Sequence, residues 1–156
     1  MAGQTKGCCQ SSALVVRART FGNPVIGFDE QYYLLVGDRM LHGAWPYIDL
    51  WDRKPVGLFA LFAAMRLLPG DGILAYQLTA TLFAAATAFL IARGAARLGA
   101  GAGAALAGGI AYLLWLPLFS GGGGQSPVFY NLFVAAAALL TLHLPQWAAR
   151  GDRRAI

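Results

Sequence analysis

Two short clusters hold the side chains of this chain best suited to chemistry. Asp29 and Glu30 are adjacent, and Asp49, Asp52, Arg53 and Lys54 follow within about 25 residues. Of the 7 acidic residues, six (Asp29, Glu30, Asp38, Asp49, Asp52 and Asp71) fall between positions 29 and 71. The rest of the chain is dominated by Ala, Leu, Gly and Phe. A carboxyl group held close to a bilayer loses hydration, and desolvation raises its pKa toward the range where it can move a proton. The stretch from Phe28 to Pro55, FDEQYYLLVGDRMLHGAWPYIDLWDRKP, is therefore where reactivity is expected.

Composition says what must hold these residues. The chain has 156 residues, 58% hydrophobic and 12% charged, with a mean hydropathy of +0.55. Soluble domains carry roughly 25% charged residues. Half that value, together with apolar runs of about 17–18 residues, predicts a membrane protein. The net charge of +5 is scattered and flanks apolar segments, so it reads as topology and head-group contact, with no nucleic-acid interface. Cys8 and Cys9 are adjacent and complete no His/Cys zinc spacing, so no metal is expected and both thiols read as incidental.

The elements follow from pattern. Residues 1–27 contain only Ala13–Val16 as an apolar core, too short for a secretory h-region of about 7–15 residues. They are expected to form a non-membrane, disordered remnant. Asp29–His42 predicts a helix with Asp29 at the N-cap and Gly43 at the stop, its apolar side made by Tyr32, Tyr33, Leu35, Val36 and Met40. Its 14 residues span about 21 Å, short of a core of about 30 Å, so it should lie at the interface. Tyr32, Tyr33, Trp45, Tyr47 and Trp51 suit an aromatic belt there. Val56–Leu68, which carries Arg66, predicts a second short interfacial or re-entrant helix. Three spans are expected at 74–91, 103–119 and 128–144, the middle one with small residues Gly101, Ala105, Gly108 and Gly109 for close helix contact. The predicted fold is thus an all-α membrane protein: about three transmembrane helices, plus two short juxtamembrane helices in an extracytoplasmic loop.

Arg93 and Arg97 follow the first span, and Arg150, Arg153 and Arg154 follow the third. Both groups should be cytoplasmic, which makes residues 145–156 a basic cytoplasmic tail and puts the acidic loop 28–72 outside. The expected location is a plasma membrane, of the bacterial inner-membrane kind.

The order DE, juxtamembrane helix, PYxDxxDxKP at Pro46–Pro55, short helix and paired spans resembles the polyprenyl-phosphate-sugar-dependent membrane glycosyltransferases of the C-type superfamily. Protein O-mannosyltransferase-like and aminoarabinose transferase-like enzymes are the nearest kinds. The resemblance covers Phe28 to about Leu144, with Val56 where a second proline is common. It implies an enzyme that moves a hexosyl or pentosyl group from a polyprenyl phosphate to an extracytoplasmic acceptor, without a cofactor. It implies Asp29 as base, Glu30 as supporting acid, and Lys54, Arg53, Asp49, Asp52 and Tyr47 around the donor. The partners implied are a polyprenyl-phosphate-linked sugar and membrane lipid. The family has a full span before the DE loop and many spans after it. This chain is accordingly expected to be an incomplete piece, inactive alone, that would join the rest of the enzyme or other membrane helices.

Plainer readings stand beside these. Asp29-Glu30 also reads as a helix start. Asp49, Asp52, Arg53 and Lys54 also read as solvated ion pairs worth roughly 0–1 kcal/mol each. Arg66 reads as snorkelling to head groups, Asp38-Arg39 as a wet face, His42 and His143 as isolated polar groups, and Gly121–Gly124 as a flexible turn. Asn131 should hydrogen-bond a neighbouring helix. The alternative function is a non-catalytic membrane assembly subunit acting through its small-residue faces. A transporter unit would need ionisable groups within spans, where only His143 lies.

Overall fold

The computed structural model describes residues 2–145. Among these, six α-helices and two 3-10 turns account for the regular structure. The helices are α1 (Ala2–Arg17), α2 (Phe28–Leu41), α3 (Val56–Arg66), α4 (Ile73–Arg97), α5 (Ala102–Trp115) and α6 (Ser126–Thr141). The all-α expectation holds, and the expected basic tail lies almost entirely outside the described residues.

Two helices are long and apolar enough to cross a membrane: α4, with 25 residues, and α5 with its 3-10 extension, Ala102–Phe119. Pro117 explains that extension, because it cannot donate into the α-helical ladder. The segment expected as the third span, 128–144, corresponds to α6, an apolar helix of 16 residues that falls short of the length α4 and the extended α5 reach. At 1.5 Å per residue α6 covers about 24 Å.

Helix α4 is the spine, packing against α1, α5 and α6. Its buried stripe, Tyr76, Ala80, Ala84, Ala88 and Ala92, is mostly alanine, so neighbouring backbones approach closely. Gly109 of α5 meets α4 so tightly that a Cβ there would lie 2.6 Å from the Ala88 carbonyl oxygen. Ala105 is also buried, whereas a Cβ at Gly101 would meet open space. The small-residue contact is therefore the Ala105/Gly109 half of the expected stripe.

The first 27 residues depart most from expectation. Residues 2–17 form a helix that runs along α4 and α5. Cys9, Ala13 and Arg17, spaced four apart, make one buried face. A short apolar core was sufficient because this face needs only small residues against the alanines of α4. Cys9 is consequently a core residue and not part of a loose terminus.

Helices α2 and α3 pack as a second unit. Both lengths match expectation within two residues. They run parallel: Tyr33 meets Phe59 and Phe62 edge-on, and further along Gly37 meets Ala63. The return loop, residues 42–55, is therefore a crossover that brings the start of α3 back beside the start of α2. Asp29 is not the N-cap of α2; Gly27 is. The buried side is Glu30, Tyr33, Leu34, Val36 and Gly37, while Leu35 is exposed.

Candidate functional site

One end of the molecule gathers the start of α2, the residue pair before α3, the start of α4, the end of α1 and the α5–α6 loop. Parallel packing of α2 and α3 brings Lys54 to Asp29. The Lys54 Nζ lies 3.9 Å from Asp29 Oδ2, and the Tyr33 hydroxyl donates to that same oxygen at 3.2 Å. The lysine ammonium also sits 5.9 Å from the centre of the Tyr33 ring, within reach of a cation–π attraction. Burial first, and then the Asp29 charge, push the Tyr33 hydroxyl up to about 12, so it is a donor at neutral pH. The Asp29 side chain is 50% exposed and Lys54 21% exposed, so the pair is rigidly backed yet open to an incoming molecule.

Glu30 points the other way. It is 1% exposed, one oxygen accepts from Gln125 Nε2 at 3.1 Å, and Oε1 has no hydrogen-bond partner. Burial raises its pKa above the ordinary carboxyl value, and the neighbouring Asp29 charge adds to the rise. Its own backbone N–H, Gln125 and the Gly124 N–H pull in the opposite sense. The dry environment expected for the carboxylate pair is thus realised at Glu30, while Asp29 stays wet.

The α5–α6 loop is not a flexible turn. Gly121, Gly123 and Gly124 are buried. Arg17, at the end of α1 and 1% exposed, donates to the Gly121 and Gly123 carbonyls at 2.7 and 2.6 Å and to Thr81 Oγ1 at 3.0 Å. Glycine is required by contact: a methyl group at Gly123 would collide with the Glu30 carboxylate, and one at Gly124 would lie 2.7 Å from the Tyr76 ring. Burial lowers the Arg17 pKa to about 10, which leaves the guanidinium charged at neutral pH.

The remaining expected site residues serve the crossover loop. Asp49 Oδ2 accepts the Trp45 N–H at 2.7 Å, and Asp52 Oδ1 accepts the Arg53 N–H at 2.6 Å. Tyr47 takes a left-handed φ of 71°, held by its N–H to the Leu50 carbonyl and its hydroxyl to the Lys54 carbonyl at 2.6 Å. It acts on Lys54 through the backbone. Arg53 is exposed and is not drawn to Asp29. Of the expected aromatic belt, Trp45 and Trp51 project outward at 70 and 74% exposure, with Ile48 beside them at 81%, whereas Tyr33 is fully buried against Phe59 and Phe62.

Several side chains read as isolated have partners. Arg66 pairs with Asp38 at 3.1 Å instead of reaching outward, because parallel packing brings the ends of α2 and α3 together. Asp38 is therefore not simply a wet position, and the His42 ring meets its carbonyl at 2.8 Å. His143 lies 2.8 Å from Arg97 at the opposite end of the molecule. Asn131 donates to the Tyr112 hydroxyl at 3.3 Å, the expected bond between helices.

An apolar cleft of about 320 Å³ opens between α3, α4 and α6, beginning at Pro55, the residue after Lys54. Leu58, Leu61, Phe83, Phe129 and Phe133 line it. Sequence reasoning missed Arg17 and Gln125, and read Tyr33 as an apolar and belt residue, not as the donor to Asp29. The spacing Cys9, Ala13, Arg17 was the available signal for the first, a small-residue face ending in a cation. Comparison of the chain with protein-family models, with curated proteins and with solved structures returned no match.

Proposed function

We propose that this chain is part of a membrane glycosyltransferase that moves a sugar from a polyprenyl phosphate to an extracytoplasmic hydroxyl. In this reading α4, α5 and α6 cross the bilayer, and the Asp29 end faces away from the cytosol. The observation that carries the reading is the Asp29–Lys54 approach at 3.9 Å, made by residues 25 apart at the end where the aromatic loop projects. A carboxylate beside an ammonium suits a reaction that takes a proton from one oxygen and leaves negative charge on another.

Asp29 accepts the proton of the acceptor hydroxyl. The acceptor oxygen bonds to the anomeric carbon of the sugar as the bond from that carbon to the phosphate oxygen breaks. Polyprenyl phosphate departs with the electron pair, and Lys54 offsets its charge. Tyr33 orients the Asp29 carboxylate from behind. The apolar cleft beside Pro55 offers the polyprenyl chain a path into the bilayer at the depth of its phosphate.

A photoreactive polyprenyl phosphate, presented to the chain in liposomes, tests donor binding directly. It should label the native chain, and Lys54→Ala should cut labelling about tenfold or more, the scale of one lost charge-assisted hydrogen bond. In membranes that support transfer, Asp29→Asn should retain labelling and lower the rate by roughly 10²–10⁴, the usual contribution of a general base. Equal labelling of the native chain and Lys54→Ala would contradict the donor assignment. Specific cross-links to another membrane protein, with no labelling at all, would support an assembly subunit instead.

A further inference from the structure

The Arg17 cluster has no part in the proton and phosphate chemistry assigned to Asp29 and Lys54, yet it spends a fully buried guanidinium on two backbone carbonyls. We infer that Arg17 is a latch: by gripping Gly121 and Gly123 it holds the α5–α6 loop closed over Glu30 and keeps that carboxyl out of water.

The geometry supports the role from both sides. On one side, the Arg17 donors reach Gly121, Gly123 and Thr81 together, so the guanidinium fork spans the loop and α4 at once. On the other, Gly123 and Gly124 press against Glu30 and Tyr76 with no space for a Cβ, and Gln125 bonds the Glu30 carboxylate. The loop is thus held between Arg17, which bonds its carbonyls, and Glu30, against which its glycines pack. The charged and titratable groups facing Glu30 are Arg17 from α1, Asp29 from its own helix and Tyr76 from α4, with Gln125 from the loop. Arg17 is a positioning residue in this scheme, and the inference stands without the sugar-transfer reading.

Its test exploits a property of the sequence: Glu30 is the sole glutamate. Carboxyl-labelled glutamate incorporated into the full chain in nanodiscs gives one titrating glutamate carbon resonance. The native protein should titrate above the ordinary glutamate value of about 4.3. Arg17→Gln should move the midpoint down, because water enters when the lid opens. Loss of a positive charge alone would move it up, or leave it in place. The two roles therefore differ in sign, and an upward or absent shift overturns the latch. Arg17→Lys, which keeps the charge but lacks the fork, should also shift the midpoint down.

Hydrogen exchange supplies the second measurement. Amides of 121–124 should exchange at least about tenfold faster in Arg17→Gln, the scale of a lost hydrogen bond to a charged group. Should neither variant accumulate, the native protein still decides: slow exchange at 121–124 supports the closed lid, and exchange as fast as in an open peptide overturns it.

Discussion

At the residue scale, the two adjacent carboxylates of α2 have opposite environments. The roughly 100° between successive residues of a helix places Asp29 on the rim beside Lys54 and Tyr33 and sends Glu30 into the interior beneath the glycine loop. The consequence for stability has a definite sign. The folded-state pKa of Glu30 lies above the ordinary carboxyl value, so between those two values the folded chain holds a proton that the unfolded chain has released. Its contribution to stability is complete below the ordinary value and declines as pH rises through the folded value. Thermal unfolding in detergent should therefore show the native Tm falling relative to Glu30→Gln across that window, with the difference level on either side. A native Tm that rises relative to the variant across the same window would contradict a buried carboxyl with one unsatisfied oxygen. The adjacency of Asp and Glu was plain in the sequence. Their division into wet and dry was not, because it depends on a loop about 95 residues away.

At the element scale, the site exists because α2 and α3 run parallel. The pairing is set by Gly37, where a Cβ would lie 2.6 Å from the Ala63 backbone nitrogen, and it is closed at the far end by Asp38 and Arg66. Gly37→Val should push the helices apart, at a cost of about 1–3 kcal/mol for overpacking. It should also separate Lys54 from Asp29 although neither is altered. A donor-labelling assay should then show Gly37→Val losing polyprenyl phosphate much as Lys54→Ala does. Full labelling would mean that the helix pair does not set the site. The starts of α2, α3, α4 and α5 were legible to within a residue from apolar runs, Pro55 and the Pro69–Gly72 turn, whereas α4 runs to Arg97, six residues past the expected span, and takes in Arg93 and Arg97 that were expected after it. Helix α1 was not legible, because its packing face is small instead of strongly apolar, and the hydropathy of Ala2–Arg17 is close to neutral. The glycine loop was misread for a related reason: four consecutive glycines suggest freedom until a buried arginine and a buried acid are found on either side of them.

At the scale of the whole molecule, the carboxylates of the described residues gather at one end. Asp29, Glu30, Lys54 and the aromatic crossover loop share one end, and Arg93, Arg97 and His143 lie toward the other. Between them, α4–α6 carry outward Leu78, Leu82, Leu114, Phe133, Val134 and Leu140, all at least 47% exposed, a surface suited to lipid. On the proposed reading the site end faces away from the cytosol, and the Arg93 and Arg97 end of α4 lies inside. Cys8 and Cys9 are the native thiols. With both replaced by alanine and a single cysteine placed at Ala44, a membrane-impermeant thiol reagent reads the sidedness of the crossover loop. Rapid labelling in intact cells and protection in inverted vesicles is the predicted result. Labelling confined to inverted vesicles would put Asp29 and Lys54 on the cytosolic face and contradict sugar transfer outside the cell.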